Sequence, residues 1–591
     1  MIFRFLLCLL MAVAFFACNP DPKASMQTGE EEASSVVFKH TDNTLRIATR
    51  VEPTGLNPVL TTQASARHVR ELIFHTLTSM DPETFEEIPL LASVPDIRKE
   101  PGGGVSYSYL IDERATWPNG LPVTAADVVF SLKAVMNPLV ASGPYRTYLY
   151  NISNIVTSPN NERRFRVVMN KPYILAQQSI GSTVVYPEYA YDPDYLLRNI
   201  SLSDLTNQTK AEQLAETNEN LKNFATAFND VAMATDPQKI IGSGPYQLEE
   251  WTAGQRMSLK LRENYWAKND RSSALMGKPN KIVFDFIVDA NTMTNALRDE
   301  LVDVAMNLGV DQFKEIRDDE YLNQRFDFTT VNSTNYFGIL LNQQNPLLRD
   351  AKTRRALAHL VDVEVLIDQL LPGLATRVNG PVLSGKSYYA GLPNIEYDPV
   401  KAEELLAEAG WSDSNNNGTL DKDIDGSRQE LSMQFLVFPS ATSASVGALV
   451  SEWAKEAGVD IEVVQQAPAA LYGELDKGNF AMSLLGMGME PNPDEFTQVW
   501  ASTSVPPNGS NRGGFANKEA DRLIKQIAST MKASDRDPLY RRFQDIVYEN
   551  QPMVFLFSPA TRLVVSKRLR YSTTSLAPGL DFNAIEAKNS K

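Results

Sequence analysis

Residues 242–266, GSGPYQLEEWTAGQRMSLKLRENYW, constrain the fold more than any other stretch. A Gly-Ser-Gly-Pro turn leads into two strand-like runs, 246–250 and 256–261, joined through a polar turn at Gly254. In the second run Met257, Leu259 and Leu261 alternate with Ser258 and Lys260, a period of two that predicts one buried face. The glycines suit positive φ, and Pro245 fixes the exit from the turn. Lying almost in the middle of the chain, the hairpin reads as a return into a sheet begun much earlier.

A chain of 591 residues, 43% hydrophobic and 22% charged, is a globular protein of roughly three to four domains. A formal net charge of −16 argues against the basic face that a nucleic-acid partner requires. The two cysteines are Cys8 and Cys18, so the body of the chain offers no thiol nucleophile, thiolate metal site or internal disulfide. The histidines (His40, His68, His75, His359) are too scattered for a metal cluster, although His68 and His75, seven apart, can share a helix face.

Residues 1–18, MIFRFLLCLLMAVAFFAC, carry one positive charge before an apolar run, the pattern of an export signal. The run is short for a membrane span, and no later stretch reaches the ~18 apolar residues one needs. Phe15-Phe16-Ala17-Cys18 resembles a lipobox, with Phe15 where that pattern prefers leucine. On this reading Cys18 is acylated and residues 19–42 form a flexible tether; the other reading is an ordinary secretory signal.

Strand-like runs at 45–51, 107–111, 282–288, 335–342, 480–486 and 553–557 are interspersed with helical segments. The helices are expected at about 64–77, after the N-cap Thr124, and at 347–366, 397–411 and 539–548. Residues 431–438, 444–457 and 460–464 make a βαβ unit, which predicts a mixed α/β lobe. Residues 191–237 are polar and helix-prone, and read as a surface insertion.

The order of these pieces resembles the family 5 extracellular solute-binding proteins, the peptide- and nickel-binding receptors of bacterial ABC importers. GSGPY and ENYW resemble that family's GTGPY and NPNYW. LNP at 56–58 stands for its LDP, PLLA at 89–92 for P-x-LA, and WPNGLPVTAADVVFS at 117–131 for F-x-DG-x-P-x-TA-x-DVVFS. YDPVKAEELLAEAGW at 397–411 resembles YDP-x-KA-x-x-LL-x-x-AGW nearly residue for residue. Asp303 keeps the aspartate of a Gly-x-x-Asp turn in which Glu300 replaces the glycine. The resemblance covers roughly residues 42–570.

It implies an α/β, periplasmic-binding-protein-like two-lobe cleft fold (type II, three-domain cluster C) of mixed sheets with flanking helices. Domain I would comprise residues 43–75, 238–330 and 551–591. Domain II would be 76–237 with its helical insertion at 191–237, and domain III would be 331–550. The hinge would lie near 328–333 and 550–553. The implied function is non-enzymatic and without a cofactor. A monomeric receptor, lipid-anchored in the periplasm, delivers a peptide to ABC permease subunits in the inner membrane. The alternatives are the same fold holding a nickel chelate or an oligosaccharide, and an exported enzyme.

Residues 486–496, GMGMEPNPDEF, follow a strand and are too rich in Gly and Pro for regular structure. In peptide-binding relatives the first aspartate of the equivalent loop captures the ligand's α-ammonium through a charge-assisted bond. Glu490 or Asp494 falls nearest that position, Asn492 lies between them, and Met487 stands where relatives have tryptophan. Dipeptide-binding relatives supply an arginine near the start of the helix at 444–457. None is present here, so an oligopeptide is expected over a dipeptide, with Arg377 and Arg512 as substitutes for that arginine.

Asp413, Asn415, Asn417 and Asp421 are spaced like the first oxygen ligands of a calcium loop, with Gly418 at its sixth position and Thr419 beside it, although Ile424 occupies the twelfth. The other reading is a polar hairpin turn. GPVLSGKS at 380–387 matches a phosphate-binding GxxxxGKS loop, but the Gly and Pro that follow leave no helix, so the match reads as chance. Neither GxSxG nor HExxH occurs.

Overall fold

The mid-chain hairpin forms one edge of a large mixed sheet. In the computed structural model, residues 37–588 are described apart from 62, 82–83, 273, 307 and 489–492. The chain divides into two units, Met1–Val37 and Phe38–Lys591, and the second contains everything reported below. The export signal, Cys18 and the segment 19–36 lie outside the described residues. Among the described residues, no helix is long and apolar enough to cross a membrane.

The large sheet is built from β1 (Thr44–Thr49), β2 (Tyr246–Thr252), β3 (Arg256–Leu261), β4 (Lys281–Phe286), β5 (Val304–Ala305), β6 (Phe326–Asn332), β7 (Asn335–Leu341), β8 (Ala375–Arg377), β9 (Ser432–Val437), β10 (Asp460–Gln465), β11 (Met482–Gly488) and β12 (Met553–Ser566). Its order is β10-β9-β11-β7-β12-β5-β1-β4-β3-β2, with β6 and β8 also paired to β12. Parallel pairing of β1 with β4, Thr44 opposite Lys281, is the expected return to a sheet begun upstream. β9 and β10 pair in parallel across the helix Ala441–Glu456, the right place for a βαβ crossover. A separate four-stranded sheet contains Val105–Leu110 and Asn161–Met169.

The glycines of the opening turn have a different cause from the one expected. Gly242 and Gly244 do not adopt positive φ; only Gly254 of this stretch does, at φ +71°. A Cβ at Gly242 or Gly244 would meet the carbonyl oxygen of Ile73 at 2.1 or 2.7 Å. The turn is glycine because it lies against the end of the helix Ala64–Ile73, where Gly244 donates to the Ile73 carbonyl at 2.8 Å. The far end of the stretch folds back on it: Arg262 donates to the carbonyls of Gly242 and Gly244, and Trp266 to that of Ser243.

Local signals placed several elements well. Thr124 and Asp127 form a capping box on the helix Ala125–Met136, and Asp398 caps Pro399–Glu408. Two expectations change. The single helix over 347–366 is two, Ala351–His359 and Val363–Leu370, because Asp362 caps the second by accepting from Val365 N–H. The insertion at 191–237 is not a surface elaboration. Phe224 and Phe228 are 1% exposed and pack against Phe130 and against Tyr186 and Tyr191.

The core has two main bodies. One gathers β1 to β4 with the early segment, through Ile47, Tyr107, Trp117 and Leu259. The other gathers β7, β9 and β11 with their helices, through Ile339, Leu341 and Phe435. β12 pairs with β7 up to Phe557 and with β6 from Ala560 onward.

Candidate functional site

Between the first of these bodies and a further apolar cluster, which includes Ile174, Tyr336, Phe496 and Trp500, lies a cavity of about 920 Å³. One part of its wall comes from the helix Ala64–Ile73 and the following segment, with His68, Glu71, His75, Thr78 and Glu87. A second part is the segment 174–184, which includes the short helix Ala176–Gly181 with Gln177. The end of β11 and the loop after it contribute Met487, Asp494, Glu495 and Phe496, beside Tyr336 of β7. The C-terminal segment 574–583 adds Asp581.

The loop after β11 is held by aromatic packing. Phe496 stacks on Phe543 at 4.3 Å, and Tyr540 donates to the Asp494 carbonyl at 2.5 Å. Tyr540 also stacks on Tyr388 at 4.0 Å. The Tyr388 hydroxyl donates to Asp494 Oδ2 at 3.1 Å, while Lys386 Nζ reaches Oδ1 at 2.7 Å. Both side chains of this ion pair are 10% exposed. Burial pushes the Asp494 carboxyl up, opposed by the Lys386 charge and both hydrogen bonds.

The remaining cavity groups are mostly acidic. Glu87 accepts from Thr78 and Gln177, and burial raises its carboxyl. Burial likewise raises Glu495, which accepts from Thr497. Asp581 is pushed up to about 6 by burial and by the neighbouring Glu71 carboxylate. Arg67 is paired to Glu71 at 2.8 Å, and Arg70 donates to the carbonyls of Pro58 and Thr61. His68 and His75 are neutral at physiological pH: burial lowers them to about 4 and about 3, with Arg67 and Arg70 acting on the first and Arg262 on the second. His75 is 2% exposed, and among the described residues neither of its ring nitrogens has a hydrogen-bond partner.

Of the residues singled out from sequence, Met487 and Asp494 line the cavity. Glu490 and Asn492 lie outside the described residues. Arg377 and Arg512 are not in the wall. Arg377 is engaged by Glu364, Glu396 and the Ile395 carbonyl, and Arg512 by Asp476. Lys386, passed over as part of a chance GxxxxGKS match, proved to be the partner of Asp494. No helix follows it before Pro399, which is incompatible with a phosphate loop of that kind. The 108 residues between Lys386 and Asp494 leave no local pattern that pairs them. The helix expected over 64–77 ends at Ile73, so His75 lies beyond it and shares no helix face with His68, although both line the cavity; Glu71 and Asp581 carried no signal in the sequence.

The Asp413–Asp421 loop is tied together by its own hydrogen bonds. Asp413 accepts from the N–H groups of Asn417 and Gly418, and Asn417 from that of Thr419. Asp421, the ninth-position ligand, is taken by Arg428 at 2.5 Å and by Ser414. Asn415 serves the same turn by accepting from Asn417 N–H. The oxygens stabilise a turn between a helix and the hairpin Asp421–Ile424/Ser427–Glu430.

Similarity to known proteins agrees with this architecture. The chain is 24% identical over 576 residues to the oligopeptide-binding protein AppA of Bacillus subtilis, covering 95% of this chain and 94% of AppA. The structure of that AppA in complex with a nonapeptide superposes with a TM-score of 0.71 at 21% identity, over 93% of this chain and 99% of AppA. NikA from Brucella suis, solved with Fe(III)-EDTA, gives a TM-score of 0.74 at 18% identity, over 93% of this chain and all of NikA. Residues 88–508 match the family described as Bacterial extracellular solute-binding proteins, family 5 Middle. A chain with this sheet, this cavity and that match belongs to the family 5 extracellular solute-binding proteins.

Proposed function

We propose that this protein is the receptor of an ABC importer and binds oligopeptides in this cavity. The observation that carries the reading is the size and composition of that cavity. About 920 Å³ stands at the upper end for small-molecule sites, and its walls mix apolar side chains with a few directed polar groups. The nonapeptide complex of AppA and the extent of its similarity support the same reading. Extended peptides are held largely through their backbones, which makes side-chain selectivity broad.

A metal chelate is the second reading, favoured by His68 and His75, two neutral imidazoles in the wall with buried nitrogens that lack partners. Native mass spectrometry of the purified protein separates the two. A family of bound peptide masses supports the first; a single chelate mass refutes it.

The export signal and Cys18 add a lipid anchor to the reading, and through it capture of ligand at a membrane beside a permease. Membrane fractionation tests this: Cys18→Ala should release the protein to the soluble fraction. Persistent membrane association of that variant refutes lipidation at Cys18.

A further inference from the structure

The cavity wall contains an ion pair that the protein makes with itself. Asp494 lines the cavity, and Lys386, which is not among the lining residues, meets its carboxylate at 2.7 Å. The lysine is delivered by a fastened loop: Arg541 donates to the Ser387 carbonyl at 2.7 Å, and Tyr389 N–H donates to that of Lys386 at 3.0 Å. Tyr388, stacked between this loop and Tyr540, takes the second carboxylate oxygen. Both partners are nine-tenths buried.

We infer that Lys386 is a built-in counter-ion that sets ligand specificity by taking Asp494 out of ammonium recognition. A carboxylate and an ammonium in contact present no net charge to a ligand. An ammonium group brought to Asp494 would stand beside the Lys386 ammonium in a poorly hydrated wall, where like charges repel strongly. At Asp494 the wall therefore offers no charge selectivity, and a peptide whose amino end lies there binds as well acylated as with a free amine. Lys386 is a specificity-determining residue, and removing it should create a cation site that the wild type lacks.

This inference rests on the peptide reading above, and the experiment keeps the two apart. The probe is a mixed nonapeptide library prepared in two forms, free-amine and N-acetylated, titrated against the mature protein by fluorescence competition. The wild type is expected to bind the two forms within threefold. Lys386→Gln is expected to favour the free amine by tenfold or more, because the ligand ammonium then becomes the counter-ion of Asp494. A wild-type preference of tenfold or more for the free amine, abolished by Asp494→Asn, overturns the inference. So does a Lys386→Gln variant that folds and still binds both forms equally. Should Lys386→Gln fail to fold, the wild-type comparison decides alone, and the neutral double variant Lys386→Gln/Asp494→Asn should again bind both forms within threefold. Failure of the wild type to bind either form refutes the peptide reading, and the inference falls with it.

Discussion

Two buried acid–base pairs in this molecule look alike and differ in consequence. Asp303 and Arg568 are 3% and 5% exposed in their side chains, and both guanidinium contacts are 2.5 Å. Arg568 also donates to the carbonyls of Asp42 and Thr44, and Asp303 accepts the N–H of Arg46. Every charge is matched inside the scaffold, and three chain segments far apart in sequence are tied at one point. Asp494 and Lys386 are buried to nearly the same degree, but a monodentate lysine holds the carboxylate and the carboxylate borders a cavity. The first pair fastens the fold; the second governs what the cavity can receive. Burial alone does not distinguish them; the neighbours on the remaining faces do.

Breaking the first pair should have the largest effect. Asp303→Ala leaves an uncompensated arginine in the sheet core and should cost about 3–5 kcal/mol in denaturant unfolding. An Asp303→Ala protein as stable as the wild type would mean that the pair is not structural. Next, Lys386→Gln should cost about 1–3 kcal/mol at pH 7 without ligand. With the lysine gone, the Asp494 carboxyl rises further above its unfolded value. The deficit should be absent below about pH 4 and grow as pH rises, since the folded variant then holds a proton that the unfolded chain gives up. A deficit that grows toward acid pH would contradict this assignment.

A third carboxylate sharpens the comparison, because burial and a like charge set its state. Asp581, held up at about 6 with Glu71 as its charged neighbour, destabilises the folded state once ionised. Asp581→Asn should therefore be more stable than wild type by about 1 kcal/mol above pH 6, with the difference vanishing below about pH 4. Equal stability at pH 7 would show that Asp581 ionises freely. The smallest effect is expected at Asp421. Because Arg428 and Ser414 already occupy its oxygens, calcium or a chelator should leave the thermal midpoint unchanged within ~1 °C. A rise of several degrees with calcium would restore the metal reading of that loop.

The sequence was most informative where structure is decided locally. Pro399 after Asp398 marked a helix start, alternation marked β3, and the βαβ order marked a parallel pair. It was least informative where a side chain is recruited from afar, as Lys386 is, and where a polar segment hides two phenylalanines that fill a core, as 191–237 does. Glu300 lies between these cases. Its departure from glycine is visible in the sequence, and the structure shows the cause for concern and the compensation. Its φ is +52°, while its carboxylate accepts from Arg325 at 3.0 Å and from Lys39 N–H at 2.9 Å.

One strand, β12, belongs to both core bodies. Its first residues, through Phe557, complete the ladder of β7, and its last seven, from Ala560 to Ser566, pair one for one with β6. Two hydrogen-bonded strands resist sliding past each other and yield most easily to coiling, as two-stranded ribbons do. A change in the angle between the regions that β12 joins would have to be taken up as twist along this one strand.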